Sequence, residues 1–242
     1  MEECTNTFYG HTDAVVSAVF SGDGATVLTA SLDHSAKLWS TETGGLTDWR
    51  TKTLGHTAWV LSAVFSADGS AALTSSSDRT AKLWSTDSGE CIQIFQGHHR
   101  GVLSAVFSGD GSAVVTASWD HTAKLWSTAS GECTMTFRGH TGVVRSAVFS
   151  ADGSEVLTAS LDRTAKLWST ESGECANTFD GHTAGVLAAV FSVDGSTVLT
   201  ASEDRTSKVW SIVSGDCVQS LLGHAGIVFM GLCDWYSRRY SL

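Results

Sequence analysis

The dipeptide Gly-His returns along the chain at Gly10-His11, Gly55-His56, Gly97-His98, Gly139-His140, Gly181-His182 and Gly223-His224. The first interval is 45 residues and the following four are 42 each. A fixed period of this length marks a repeat array and argues against two ordinary globular domains. Each unit is too small to bury its apolar faces alone and must stack on its neighbours.

Other features keep the same clock. SAVFS starts at Ser17, Ser62, Ser104 and Ser146, with AAVFS from Ala188. An Asp-Gly pair follows each time, at Asp23-Gly24, Asp68-Gly69, Asp110-Gly111, Asp152-Gly153 and Asp194-Gly195. In the second unit, Val60 to Phe65 is a short run rich in branched and aromatic residues, the kind that forms a strand. Asp68-Gly69 supplies a tight turn, because glycine accepts positive φ at low cost. Ala71 to Ser75, Ala81 to Ser85 and Cys91 to Phe95 read as three more strands. No window carries a sustained helical period. The expected class is all-β, with four antiparallel strands per unit forming the blades of a propeller.

After each Gly-His stand a Thr, an Asp and a Trp, 18, 22 and 28 residues beyond the His. The five sets are His11, Thr29, Asp33, Trp39; His56, Thr74, Asp78, Trp84; His98, Thr116, Asp120, Trp126; His140, Thr158, Asp162, Trp168; and His182, Thr200, Asp204, Trp210. On these residues the sequence resembles the WD40 family over residues 3–233. The resemblance implies that each set forms a buried hydrogen-bond chain inside one blade. The residue types suit that role: an indole donates, a hydroxyl donates and accepts, and a His bridges to an ionised Asp. The family's Trp-Asp is Trp-Ser here, at Ser40, Ser85, Ser127, Ser169 and Ser211, and its proline before Asp-Gly is Gly22, Ala67, Gly109, Ala151 or Val193. Neither change touches the four-residue sets.

Repeat units start near residues 10, 55, 97, 139 and 181, with a partial one at 223; residues 234–242 form a non-repeat tail. This gives a WD40-type propeller of five complete four-stranded blades plus an incomplete sixth. Glu3 to Tyr9 matches a fourth-strand segment and Gly226 to Cys233 a first-strand segment. The sixth blade cannot form its set, because Leu242 stands where His224 would need a Thr. The tail from Asp234, with its Arg238-Arg239 pair, has no counterpart in any repeat.

The chain has 242 residues and a net charge of −10, from 15 basic and 25 acidic residues. That balance repels phosphate backbones, and the sequence shows no local basic run to offset it. No nucleic-acid partner is expected. No stretch approaches the ~20 apolar residues that span a bilayer, and the N-terminus lacks a signal-peptide pattern, so no membrane partner is expected. A reducing, cytoplasmic setting follows, with the nucleus not excluded, and the six cysteines are expected as thiols.

The sets account for five histidines and one Asp per blade, each in a different unit, which leaves no converging metal ligands. His98-His99 and His121 do not make a site. Cys4, Cys91, Cys133, Cys175 and Cys217 each open an outermost strand, as small half-buried residues, and Cys233 lies outside the pattern. There is no C-x-x-C pair, no phosphate-binding G-x-x-x-x-G-K-S/T loop and no G-x-S-x-G elbow. No cofactor is expected, and nothing points to an enzyme.

The blades differ at a few positions that the scaffold does not dictate. The resemblance places partner contacts on the narrow top face, three and five residues after each His and just before each Asp. Carried onto this chain, the first group is Ala14 and Val16, Trp59 and Leu61, Gly101 and Leu103, Val143 and Arg145, and Gly185 and Leu187. The second is Leu32, Ser77, Trp119, Leu161 and Glu203. This ring reads as apolar, with Arg145 and Glu203 as its main charges. Trp59 and Trp119 stand out as interface anchors, whereas leucines can equally plug the channel. The expectation is a non-catalytic scaffold for proteins or peptides, with self-association through the incomplete blade left open. The alternatives are a propeller that binds glycans or small molecules, and an inactive fragment of a longer array.

Overall fold

The computed structural model describes residues 7–41 and 51–222. Cys4, most of the segment Glu3–Tyr9, and everything expected of the sixth unit and tail from Gly223 onward lie outside the described residues. Within them the strands fall into five antiparallel sheets of four, and there is no helix. The first sheet holds β1 (Val15–Phe20), β2 (Thr26–Ser31), β3 (Ser35–Ser40) and β4 (Lys52–Gly55). The second holds β5 (Val60–Phe65), β6 (Ala71–Ser76), β7 (Thr80–Ser85) and β8 (Cys91–Gln96). The third runs β9 (Val102–Phe107), β10 (Ala113–Ser118), β11 (Ala123–Ser127), β12 (Cys133–Phe137), and the fourth β13 (Val144–Phe149), β14 (Glu155–Ser160), β15 (Thr164–Ser169), β16 (Cys175–Asp180). The fifth is β17 (Val186–Phe191), β18 (Thr197–Ser202), β19 (Ser207–Ser211) and β20 (Cys217–Leu221).

Strands pair in chain order within every sheet. The first strands of successive sheets also pack in series, β1 on β5, β5 on β9, β9 on β13 and β13 on β17. First strands are therefore innermost and fourth strands outermost, the arrangement of propeller blades.

The core lies between blades. In one layer Val115, Ala123, Leu125 and Phe137 of the third blade meet Val144, Phe149, Val156 and Trp168 of the fourth. Equivalent layers join blades one to two, two to three and four to five. A fourth-strand Phe covers the next blade's Trp each time a Phe is present: Phe95 on Trp126 at 5.9 Å, Phe137 on Trp168 at 5.7 Å and Phe179 on Trp210 at 5.8 Å between ring centroids. Phe8 covers Trp39 in the same way at 5.5 Å, so this residue occupies the place of a preceding blade's outer strand.

The Asp-Gly turns replace the missing prolines with side-chain hydrogen bonds. Gly111 adopts φ 72°. Asp110 Oδ1 accepts from the Ser108 hydroxyl at 2.6 Å and from the Ser112 N–H at 3.0 Å. The Ser108 hydroxyl first, then the Ser112 N–H, hold the Asp110 carboxyl down at about 2.

One reading of the sequence needs correction. Cys91, Cys133, Cys175 and Cys217 do open the outermost strands, but they are exposed, not half-buried. The outer strand has no further strand beyond it, so alternate side chains there face solvent.

Candidate functional site

Each β1–β2-type pair contains one bulge. The register skips between Val15 and Ser17, Val60 and Ser62, Val144 and Ser146, and Val186 and Ala188, and the third blade skips across Leu103. The skipped residues are Val16, Leu61, Leu103, Arg145 and Leu187. A bulge leaves one residue unpaired and re-aims its side chain, so these five are released from the ladder at the same level in every blade.

Beside them, a backbone bond ties the residue three after each His to the residue before each Asp. The N–H groups of Leu32, Ser77, Trp119, Leu161 and Glu203 donate to the carbonyls of Ala14, Trp59, Gly101, Val143 and Gly185 at 2.9–3.0 Å. At Gly101 a Cβ would stand 2.7 Å from the Trp119 ring and 3.0 Å from Ser77 Cα, so the Trp119 indole packs closely on this glycine, as Leu161 packs on the equivalent Gly185 at 2.7 Å.

Beneath this surface lies one polar network per blade. In the third blade His98 Nδ1 is 2.8 Å from Asp120 Oδ2, His98 Nε2 is 2.7 Å from Thr116 Oγ1, and the Trp126 indole donates to Thr116 Oγ1 at 2.8 Å. The other four sets repeat these contacts within 0.1 Å. An ionised Asp only accepts, so His Nδ1 carries the proton and Nε2 accepts from the Thr hydroxyl. Burial pushes His56, His98 and His182 below the usual histidine value, against the opposing pull of their Asp partners, and keeps these rings neutral. Burial alone would raise the aspartates. The His N–H, a hydroxyl and backbone N–H groups outweigh it and hold Asp33, Asp78, Asp120, Asp162 and Asp204 well below the carboxylate range.

Two further residues per blade belong to this network and were not singled out in the sequence. The hydroxyl two residues after the Asp (Ser35, Thr80, Thr122, Thr164 or Thr206) donates to Asp Oδ1 at 2.6–2.7 Å. The serine two before it (Ser31, Ser76, Ser118, Ser160 or Ser202) accepts the Asp N–H. Their signal was present, since both recur at fixed offsets from the His, but serine and threonine are so frequent here that the pattern merges with the background.

Both shifts carry a sign for stability. The folded state resists protonation at His56, His98 and His182 and at all five aspartates, so below the unfolded values the unfolded chain binds more protons. The melting temperature is expected to be level above pH 7, to fall as pH drops below the 6.5 of a free His, and to fall more steeply below the 3.8 of a free Asp. A melting temperature that rises on acidification, followed by circular dichroism, would contradict this network.

The top-face candidates divide by exposure. Trp59 is 48% exposed, Val16 47% and Leu161 38%, and Glu203 is exposed. Leu32, Leu61, Trp119 and Arg145 are half-buried. Leu103 and Leu187 are buried at 9% exposure. Those two fill the space between inner strands and present little surface. The Nε of Arg145 is buried without a hydrogen-bond partner, and so are the hydroxyls of Ser77, Ser104 and Ser146. A buried donor left unsatisfied costs ~1–3 kcal/mol.

The face is also more charged than its sequence suggests. In the turns and linkers of blades two to four, Arg79, Arg100, Arg138 and Arg163 are exposed, as is Asp180 at the end of β16, which pairs with Thr164 beside Arg163. Among the described residues, the His–Asp contacts of the five networks are the close pairs with a carboxylate, and no arginine forms an ion pair. No group of His, Cys, Asp and Glu there could hold a metal ion.

Five sheets packed face to face around their first strands, each tied by a Trp–Thr–His–Asp chain, define a β-propeller of repeated blades. The model of the WD domain, G-beta repeat (WD40) matches residues 2–40, 49–85, 89–127, 131–169 and 173–211. These matches cover most of the chain, which belongs to the WD40-repeat family. No curated protein matches it in sequence.

Proposed function

We propose that this protein is a non-catalytic scaffold whose top face binds partner proteins or peptides. The observation that carries the reading is Trp59, a large ring 48% exposed beside the bulge residue Leu61 and one backbone bond from Ser77. Nothing in the repeat requires a Trp there, and rigid aromatic rings with arginine nearby are the usual anchors of interfaces. Membership of a repeat family whose domains serve as interaction platforms supports the same conclusion. The exposed free thiols of Cys91, Cys133, Cys175 and Cys217, one in each of blades two to five, suit a reducing compartment such as the cytoplasm.

Trp59→Ala is expected to reduce recovery of partners in affinity purification from the protein's own cells, while thermal stability shifts by only ~0.5 kcal/mol. Adding Trp119→Ala deepens the loss and costs some stability, because that ring covers Gly101. Full partner recovery by both variants would remove the top face from the interaction.

A further inference from the structure

We infer that Cys133, Cys175 and Cys217 are modification sites for small soluble disulfides, where a hydroxyl held by a lysine supports the attacking sulfur. Cys91, which lacks that hydroxyl, is the slow member of the row. The inference goes beyond the top-face reading and does not depend on it.

The four thiols open the outermost strands of blades two to five, and each is exposed. In blades three to five the register skips the residue after the cysteine, Thr134, Ala176 or Val218. That bulge turns the sulfur onto the face of the hydroxyl three residues on. Cys133 Sγ stands 3.7 Å from Thr136 Oγ1, Cys175 Sγ 3.6 Å from Thr178 Oγ1 and Cys217 Sγ 3.7 Å from Ser220 Oγ. Each hydroxyl lies directly across the sheet from a third-strand lysine and accepts from its ammonium, Lys124 at 2.9 Å and Lys166 and Lys208 at 2.8 Å. An oxygen that accepts from the lysine keeps its own proton for the sulfur. The thiol in turn donates to the carbonyl of Met135, Asn177 or Gln219 at 3.3–3.6 Å. The three chains therefore run one way, from ammonium to hydroxyl to sulfur to carbonyl.

Blade two breaks the chain. Ile94 stands opposite Lys82, where the others have Thr or Ser. Cys91 keeps its bond to the Gln93 carbonyl at 3.5 Å, but no hydroxyl reaches its sulfur. Lys82 donates to the Gly55 carbonyl at 3.0 Å and lies over the Trp84 ring. Burial pushes the Cys91 thiol up, and the charge of Lys82 offsets only part of that. An acid precedes every one of the four cysteines (Glu90, Glu132, Glu174 or Asp216), so that neighbour does not distinguish them. The hydroxyl does.

The thiolate is the attacking form. When the thiol proton leaves to water, the sulfur loses its bond to the carbonyl, and the hydroxyl remains to donate to the new charge. The sulfur then bonds to one sulfur of a disulfide such as glutathione disulfide. The S–S bond of the reagent breaks, and one glutathione leaves as a thiolate that takes up a proton from water. The product is a mixed disulfide, which excess thiol reverses.

The test treats the full reduced chain with glutathione disulfide and follows each cysteine separately by peptide mass spectrometry. Cys133, Cys175 and Cys217 are expected to react about three- to tenfold faster than Cys91, the gain one hydrogen bond supplies. Thr136→Val should slow Cys133 alone to the rate of Cys91, and Thr136→Ser, which copies Ser220 of blade five, should restore it. Ile94→Thr should speed Cys91 toward the other three. A purely structural role for these residues would move all sites together or none. The inference is overturned by equal rates at the four cysteines, by Cys91 reacting fastest, or by Thr136→Val and Ile94→Thr leaving the rates of their own sulfurs unchanged.

Discussion

Asp120→Ala is expected to lower the unfolding free energy by roughly 2–4 kcal/mol, because the carboxylate is the acceptor for four donors and few of them find another. The His98 ring N–H, the His99 N–H, the Thr122 N–H and the Thr122 hydroxyl all converge on it. Once the ring is free to turn, Thr116 loses a fixed acceptor, and the Trp126 indole loses the oriented hydroxyl it donates to. Trp126 is 1% exposed and forms part of the core against blade two, so the damage spreads from the turn into the interface between blades. For a chain of this size the loss amounts to a melting temperature lower by about 5–15 °C. Asp78→Ala and Asp162→Ala should behave alike, since their contacts are the same within 0.1 Å. Asp120→Asn keeps an acceptor but no charge, and should fall between parent and Ala. Melts of all three Ala variants that overlay the parent would mean that the network does not hold the blades.

The parts of this architecture that repeat were legible in the sequence, and the parts that depend on blades meeting were not. A strand pattern such as Val60 to Phe65, closed by Asp68-Gly69, is decided by local chemistry, and five copies multiply the signal. The His, Thr, Asp and Trp stand out because each type is informative at a fixed offset. Exposure is a property of neighbours. Leu103 and Trp59 are assigned to one ring by position, yet Leu103 is pressed between inner strands and Trp59 stands in solvent. The bulge that frees Val16, Leu61, Leu103, Arg145 and Leu187 is a matter of register, which alternation alone does not reveal.

The second large effect concerns the two outer faces of the array. Each internal interface joins an outgoing face of one blade to an incoming face of the next, and the large side chains there are buried or half-buried: Phe107, Phe149 and Phe191 are 5%, 5% and 2% exposed, Phe137 and Phe179 are 1% and 0%, and Phe65 is half-buried. The same positions are open at the two ends. On the incoming face of blade one Phe20 is 67% exposed and Val15 49%, and on the outgoing face of blade five Leu221 is 39% exposed. Among the described residues, no strand of the first sheet packs against the fifth as neighbouring sheets do. Burying each large apolar side chain is worth ~1.5–3 kcal/mol, so the two faces complement each other on separate molecules. A blade-five face on a blade-one face is a head-to-tail contact, and such contacts extend unless the rotation closes them into a ring. Sedimentation velocity is therefore expected to show association that grows with concentration. Phe20→Ser and Leu221→Ser should each suppress it, since each removes one half of the joint. Mixing the two variants provides the sharper check: the Phe20→Ser chain retains an intact blade-five face and the Leu221→Ser chain an intact blade-one face, so together they should stop at a one-to-one pair. A parent that sediments as a monomer at every concentration, or a mixture that stays monomeric while the parent associates, would show that these faces do not meet.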